Sequence, residues 1–213
     1  MRIGILGMGG MSDALGTQWR RAGHEVLAGG RSAGGLREAA EFGTDAVLPA
    51  VPYAAVIEVV AGLEPALRER SEMGVPPAEG LGKVLIDCTN PVGPGFGLLT
   101  AGGPAAAERI AAAAPAAHVV KAFNLCHVDV WRMTPPVFDG RPPAVPLCGD
   151  DEGALSVVRR LVRDLGCEPL NAGGLDRAGL VEATAALLIV LWVGEGADAQ
   201  AIAPPLVFAG DRA

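Results

Sequence analysis

Arg2-Ile3-Gly4-Ile5-Leu6-Gly7-Met8-Gly9-Gly10-Met11-Ser12 is the stretch on which the fold turns. A short apolar run, residues 2–6, stops at a glycine, and a helical pattern follows over residues 12–22, closed by Gly23 as a C-cap. A strand, a glycine-rich turn and a helix in that order form the setting a dinucleotide fingerprint requires. Gly7 permits the tight turn. Gly9 removes a side chain where a pyrophosphate must approach the backbone. The helix start offers free N–H groups and the positive end of a dipole. Gly7, Met8, Gly9, Gly10 and Met11 are therefore expected to cradle the phosphates. Ser12 stands where the third fingerprint glycine would be, which predicts a looser helix–strand contact.

Working outward, strand and helix signals alternate, which argues for a parallel sheet with helices on both faces. Strands are expected over 24–28, 45–51, 83–87, 118–122, 144–148 and 167–170. Pro49 marks the 45–51 strand as an edge or irregular one. Helices are expected over 36–42, 54–70, 105–114 and 151–165, the last capped by Asp150 or Asp151. Residues 71–80 and the proline-rich 134–146 read as irregular. Residues 177–193 read as one long helix, apolar on most faces, which must be covered on most faces. The expected division is a nucleotide-binding Rossmann-type domain over 1–170 and a helical substrate and dimerisation segment over 171–213.

The second strand ends Ala28-Gly29-Gly30-Arg31-Ser32. An NAD site would carry a carboxylate there for the ribose hydroxyls. Arg31 and Ser32 instead suit a 2′-phosphate through charge-assisted hydrogen bonds. The expected cofactor is NADP(H).

Composition sets the outer bounds. Of 213 residues, half are hydrophobic, only 4% are aromatic, and the formal charge is −7. The core is expected to be built from Ala, Val and Leu. A negative chain argues against nucleic-acid or anionic-membrane partners. The most apolar late run, 183–193, reads as too short to span a bilayer. The four cysteines, Cys88, Cys126, Cys148 and Cys167, show no C-x-x-C pair and read as buried packing in a reduced cytoplasm. No metal site is expected.

Further pieces then fall into one order: Gly23-His24-Glu25-Val26 running to Arg31-Ser32, Ala50-Val51-Pro52-Tyr53, Asp87-Cys88-Thr89-Asn90-Pro91, Val119 to Asn124, Cys148 to Asp151, Asn171 to Leu175, and Leu180-Val181-Glu182. In this order and spacing the chain resembles the deazaflavin (coenzyme F420)-dependent NADP reductases and the small NADP oxidoreductases related to them. The resemblance implies a hydride-transferring reductase. It implies that Val51, Pro52, Tyr53, Asn90 and Pro91 line the nicotinamide and its ribose, with Ala122 and Asn124 at the end of the 118–122 strand. Both turns fall at the carboxyl ends of strands, where such sheets place ligands, and the prolines fix nearby carbonyls for a carboxamide.

Three departures from that family stand out. Too little chain separates Arg31 from Asp45 for the usual helix, strand and helix, so one strand–helix unit is missing and the adenine pocket is expected to be open or rebuilt. Asn124 stands where the strict deazaflavin reductases carry a histidine. Gly174 replaces a proline.

Hydride transfer asks for alignment and exclusion of water more than for side-chain chemistry. An imine or ketone acceptor would also need a proton donor. His127 is the best placed, with Tyr53, Asp129 and Lys121 behind it, and Asn124 is the other residue expected beside the reacting atoms. Trp131, Met133 and Trp192 could wall a flat apolar acceptor, although Trp192 is better read as core. The leading expectation is an NADPH-dependent reductase acting on a flavin-like coenzyme, a deazaflavin or flavin, or on a small biosynthetic intermediate. The alternatives are a non-catalytic NADP-binding redox sensor and an imine or ketone reductase using His127. A homodimer through 177–193 would cover the apolar helix.

Overall fold

The computed structural model describes residues 1–31, 35–68 and 82–198. The loop expected at 71–80 lies outside the described residues. Seven strands form one sheet: β1 Arg2–Leu6, β2 Glu25–Gly29, β3 Ala46–Pro49, β4 Val84–Asp87, β5 His118–Lys121, β6 Ala144–Cys148 and β7 Glu168–Gly173. The helices are α1 Gly10–Arg21, α2 Gly35–Phe42, α3 Tyr53–Leu67, α4 Ala106–Ala113, α5 Val128–Arg132, α6 Glu152–Asp164 and α7 Ala178–Ile189. α7 runs on into a π-helical turn, Val190–Gly194.

The strand order is β2-β1-β3-β4-β5-β6-β7. The chain crosses over from β2 past β1, the reversal that marks a doubly wound sheet. No described strand lies outside β2, as the short span between Arg31 and Asp45 predicts. Strands β1 to β5 run parallel. The sheet is not parallel throughout, however: β6 meets β5 antiparallel through the single pair Lys121 and Cys148, and β7 follows β6 in parallel.

β3 is a correction to the sequence reading. It lies inside the sheet, between β1 and β4. Pro49 is its last residue, so the missing N–H costs no interior rung. The ladder simply resumes with Ala50 N–H donating to Leu6 O at 2.8 Å.

Alternation along the strands splits the core into two layers. Ile3, Ile5, Ile86 and Val120 face α1 and α6, while Leu6, Val47, Leu85 and Val119 face α2, α3 and α4. The first layer is not purely aliphatic. Trp19 meets Phe123 edge-on at 5.9 Å, and Phe123 meets Trp131 edge-on at 5.6 Å. All three are almost fully buried. Trp131 is thus core and not a substrate wall, and Met133 lies at the surface.

At the start of α6, Asp151 caps as expected, its Oδ1 accepting from Ala154 N–H at 2.7 Å. Asp150 instead accepts from Leu175 N–H at 2.9 Å and ties α6's start to the approach of α7. α7 buries Val181, Glu182, Ala185 and Ala186 but leaves Leu180 and Leu187 more than half exposed. The helical run Leu175–Gly194 is 20 residues of mean hydropathy 1.6, long and apolar enough by length and composition to cross a membrane, which corrects the reading that this region is too short.

Candidate functional site

At the end of β1 the chain must turn sharply. Gly7 does so at φ 127°, with its N–H donating to Gly29 O at 2.7 Å. A Cβ at Gly7 would collide with Ala50 O, so the position is closed to any side chain. Gly9 is the N-cap of α1 and supplies no side-chain cap. A Cβ at Gly9 would meet nothing within 4 Å, so the space above the turn is open. Asp13 N–H donates to Gly9 O at 3.0 Å, and the N–H groups of the turn before it have no intrahelical partner. A helix start left open in this way offers its free N–H groups and the positive end of its dipole to an anion. A close helix–strand approach comes one turn after Ser12, at Gly16, where a Cβ would stand 3.1 Å from Ile5 Cδ1.

β2 ends beside this turn. Gly29 packs so tightly under α2 that a Cβ would overlap Gly35 O. Beyond it Arg31 is exposed to solvent, and Ser32 lies outside the described residues.

The carboxyl ends of β4 and β5 supply the next wall. Phe123, just after β5, is held at φ 59°, a left-handed conformation that costs about 1–3 kcal/mol in a non-glycine residue. The kink buries the Phe123 ring in the aromatic layer and carries the chain on to Asn124. Asn124 Nδ2 donates to Asn90 Oδ1 at 3.2 Å and to Val181 O at 3.3 Å. Asn90 Nδ2 donates back to Asn124 O at 2.9 Å. Asn124 Oδ1, by contrast, is buried with no hydrogen-bond partner among the described residues.

A cleft of about 450 Å³ opens here, running from Met11 past Asn90 and Asn124 to His127. Its far side is the end of the last helix, Ala185, Ile189, Trp192 and Val193. Cys88 and Cys126 also line it. Burial and the neighbouring Asp87 push the Cys88 thiol up to about 12, and burial pushes Cys126 up to about 11, so both are neutral and poorly nucleophilic. The aliphatic and aromatic lining, with a pair of amides at its base, suits a flat neutral ring.

Of the residues expected at the site, Met11, Asn90, Asn124 and His127 line this cleft. Val51, Pro52 and Tyr53 lie on the adjoining turn from β3 into α3 and are not among its lining. Tyr53 Oη accepts from Arg109 Nη1 at 3.2 Å. Pro91 O accepts from Leu99 N–H at 2.7 Å, and Ala122 is fully buried, its N–H donating to Asp87 O. His127 is mostly exposed, its Nδ1 3.3 Å from Asp129 Oδ2. Trp192, read from sequence as core, is 39% exposed and faces the cleft.

Lys121 is not a proton donor to this cleft. Its Nζ is fully buried, 2.8 Å from Asp87 Oδ2, 3.1 Å from Glu182 Oε1, and donating to Thr89 O at 2.6 Å. Burial opposes its charge, but Asp87 and Glu182 outweigh that cost and hold the pKa above the ordinary lysine value. Glu182 in turn accepts from Ala106 N–H at 3.0 Å and Ala107 N–H at 3.3 Å, at the start of α4. One buried cluster therefore fixes α7 to β4, β5 and α4, and so places the helix whose end walls the cleft.

No family model matches the chain. A crystal structure of a candidate F420-dependent NADP reductase from Arthrobacter sp. FB24 superposes with a TM-score of 0.76, covering 92% of this chain and 96% of that one at 22% identity. The two chains share one fold. An imine reductase from Aspergillus terreus superposes with a TM-score of 0.59 at 20% identity, covering 92% of this chain and 63% of that one. In sequence, the metalloreductase STEAP3 of Rattus norvegicus is 31% identical over 199 residues, covering 90% of this chain. The chain spans 38% of that protein's length.

Proposed function

We propose that this chain is an NADP-dependent oxidoreductase that passes a hydride between NADP(H) and a second small molecule held in the Asn90–Asn124 cleft. The observation that carries the reading is the uncapped start of α1 at Gly9, with open space above it and Arg31 exposed at the end of the neighbouring strand. The bound nicotinamide would supply the hydride chemistry. The chain's own work is to hold the pyrophosphate at Gly7 to Met11, to take the 2′-phosphate with Arg31 and Ser32, and to align the reacting rings away from water. Asn124 Oδ1 is a ready acceptor for an amide or ring N–H in the cleft.

The second substrate fits best as a flat ring, a flavin or deazaflavin coenzyme, because the described cleft lining is apolar apart from its amides and His127. A small intermediate with an imine or ketone is the second reading. The position of His127 at the cleft mouth, paired with Asp129, favours it, since that imidazole could deliver the required proton. The four free thiols suit a reducing cytoplasm. A second copy packed on the exposed face of α7 would make a homodimer.

Titration with NADPH, NADH and an oxidised deazaflavin, followed by stopped-flow mixing of those that bind, tests the reading. Tight NADPH binding with hydride transfer supports it. NADPH binding with no turnover on deazaflavin, flavin or imine would assign the chain to non-catalytic NADP sensing instead.

A further inference from the structure

We propose that Arg132 is a second cationic ligand for the cofactor's pyrophosphate, reaching the α1 cradle from α5. The proposal rests on the dinucleotide reading of the Gly7–Met11 turn given above. A Cβ at Gly10 would stand 3.5 Å from Arg132 Nη2 and 3.5 Å from Val128 Cγ2, so the guanidinium lies directly beside the first residue of α1. Its two ends are unequally held. Nη1 donates to Asp129 Oδ1 at 2.6 Å, whereas Nη2 is 3.5 Å from Asp13 Oδ2, beyond a good hydrogen bond. The loosely held end is the one facing the turn.

The backbone beneath it is fixed. Gln18, on α1, donates from Nε2 to Arg132 O at 3.0 Å and to Met133 O at 2.9 Å, so α1 holds the backbone at the end of α5 in place. Arg132 is therefore preorganised, and a phosphate arriving at the N–H groups of α1 would replace Asp13 as the partner of Nη2. Charge-assisted contacts of this kind favour phosphate because the guanidinium fork matches its oxygens. The same opening leads from Met11 to Asn124, whose buried Oδ1 has no hydrogen-bond partner among the described residues, an independent sign that the cleft is built around a ligand.

Because the pyrophosphate is common to both cofactors, Arg132 acts without regard to the 2′-phosphate. Calorimetric titration of the wild type, Arg132→Ala, Asp13→Asn and Arg31→Ala with NADPH and with NADH tests this, with thermal melts confirming that each variant folds. Arg132→Ala should weaken both cofactors by the same factor, about tenfold, and flatten the salt dependence of binding. Asp13→Asn, which frees Nη2 and removes a negative charge, should tighten both. Arg132→Ala binding both cofactors as the wild type does, or losing only NADPH, overturns the proposal while leaving the dinucleotide reading intact. A wild type that binds neither cofactor overturns both.

Discussion

Asn90 and Asn124 clasp each other across the ends of β4 and β5, each amide nitrogen donating to the other residue, at 2.9 Å and 3.2 Å. The clasp fixes the base of the cleft before any ligand arrives. Asn90→Ala would leave the Asn124 carbonyl without that donor and its amide with only Val181 O. Stability should fall by about 1–3 kcal/mol in urea unfolding, the usual penalty for orphaned buried polar groups. A variant as stable as the wild type would show that the clasp holds nothing.

Arg31 reports cofactor choice. Arg31→Ala should weaken NADPH by roughly ten- to a hundredfold and leave NADH almost unchanged, as expected for one charge-assisted phosphate contact. Fluorescence titration with both cofactors reads this directly, and an equal loss for each would count against the 2′-phosphate role.

The Lys121 cluster governs stability and, through α7, the cleft. Lys121→Met would strand Asp87 and Glu182 as buried carboxylates and should cost about 3–5 kcal/mol. Adding Glu182→Gln to that variant should restore part of the loss. Equilibrium unfolding of the single and double variants decides it: if the double variant is no better than the single, the loss comes from packing and not from unpaired charge.

Alkaline pH should loosen the fold. Burial raises the Cys126 and Cys167 thiols to about 11 and Cys88 to about 12, so the folded chain keeps protons that the unfolded chain releases from about pH 8.5. Lys121 is raised too, so its contribution is intact below the ordinary lysine value and disappears only as pH climbs through the higher folded one. Melting temperature should be flat from pH 7 to 8 and decline above about pH 8.5. Cys126→Ala with Cys167→Ala should make that decline shallower, and an unchanged slope would remove the thiols as its cause.

Leu180, at 60% exposure, and Leu187, at 52%, stand on the open side of α7. If a second copy covers them, light scattering at micromolar concentration should give a dimer, and Leu187→Glu should give a monomer. A wild-type monomer would remove the dimer from consideration.

The tight turn after β1 was readable because its requirement is local: Gly7, at φ 127° and pressed against Ala50 O, admits no side chain. The absent unit beyond β2 was readable for a similar reason, since a short span between Arg31 and Asp45 cannot hold it. What escaped was set by distant partners. Pro49 looks like an edge signal until the strands on both sides of it are known. Trp131 stands beside Asp129 and Arg132 in sequence and Trp192 in an apolar run, yet it is Trp131 that is sealed against Phe123, while Trp192, on the π turn after α7, lines the cleft. Glu182 fell within a recognised motif, but nothing local says that it reaches Lys121, Asp87 and the start of α4 together.

Among the described residues the sheet stops at β2, and under the proposed cofactor placement the adenine would rest beside that border with no further described strand to enclose it. A cofactor tethered through its adenine amino group to a resin would then still reach the cradle, the linker leaving through the unwalled side. The shortened sheet thereby becomes a practical handle: immobilised NADP should retain this protein from solution, and free NADPH should release it.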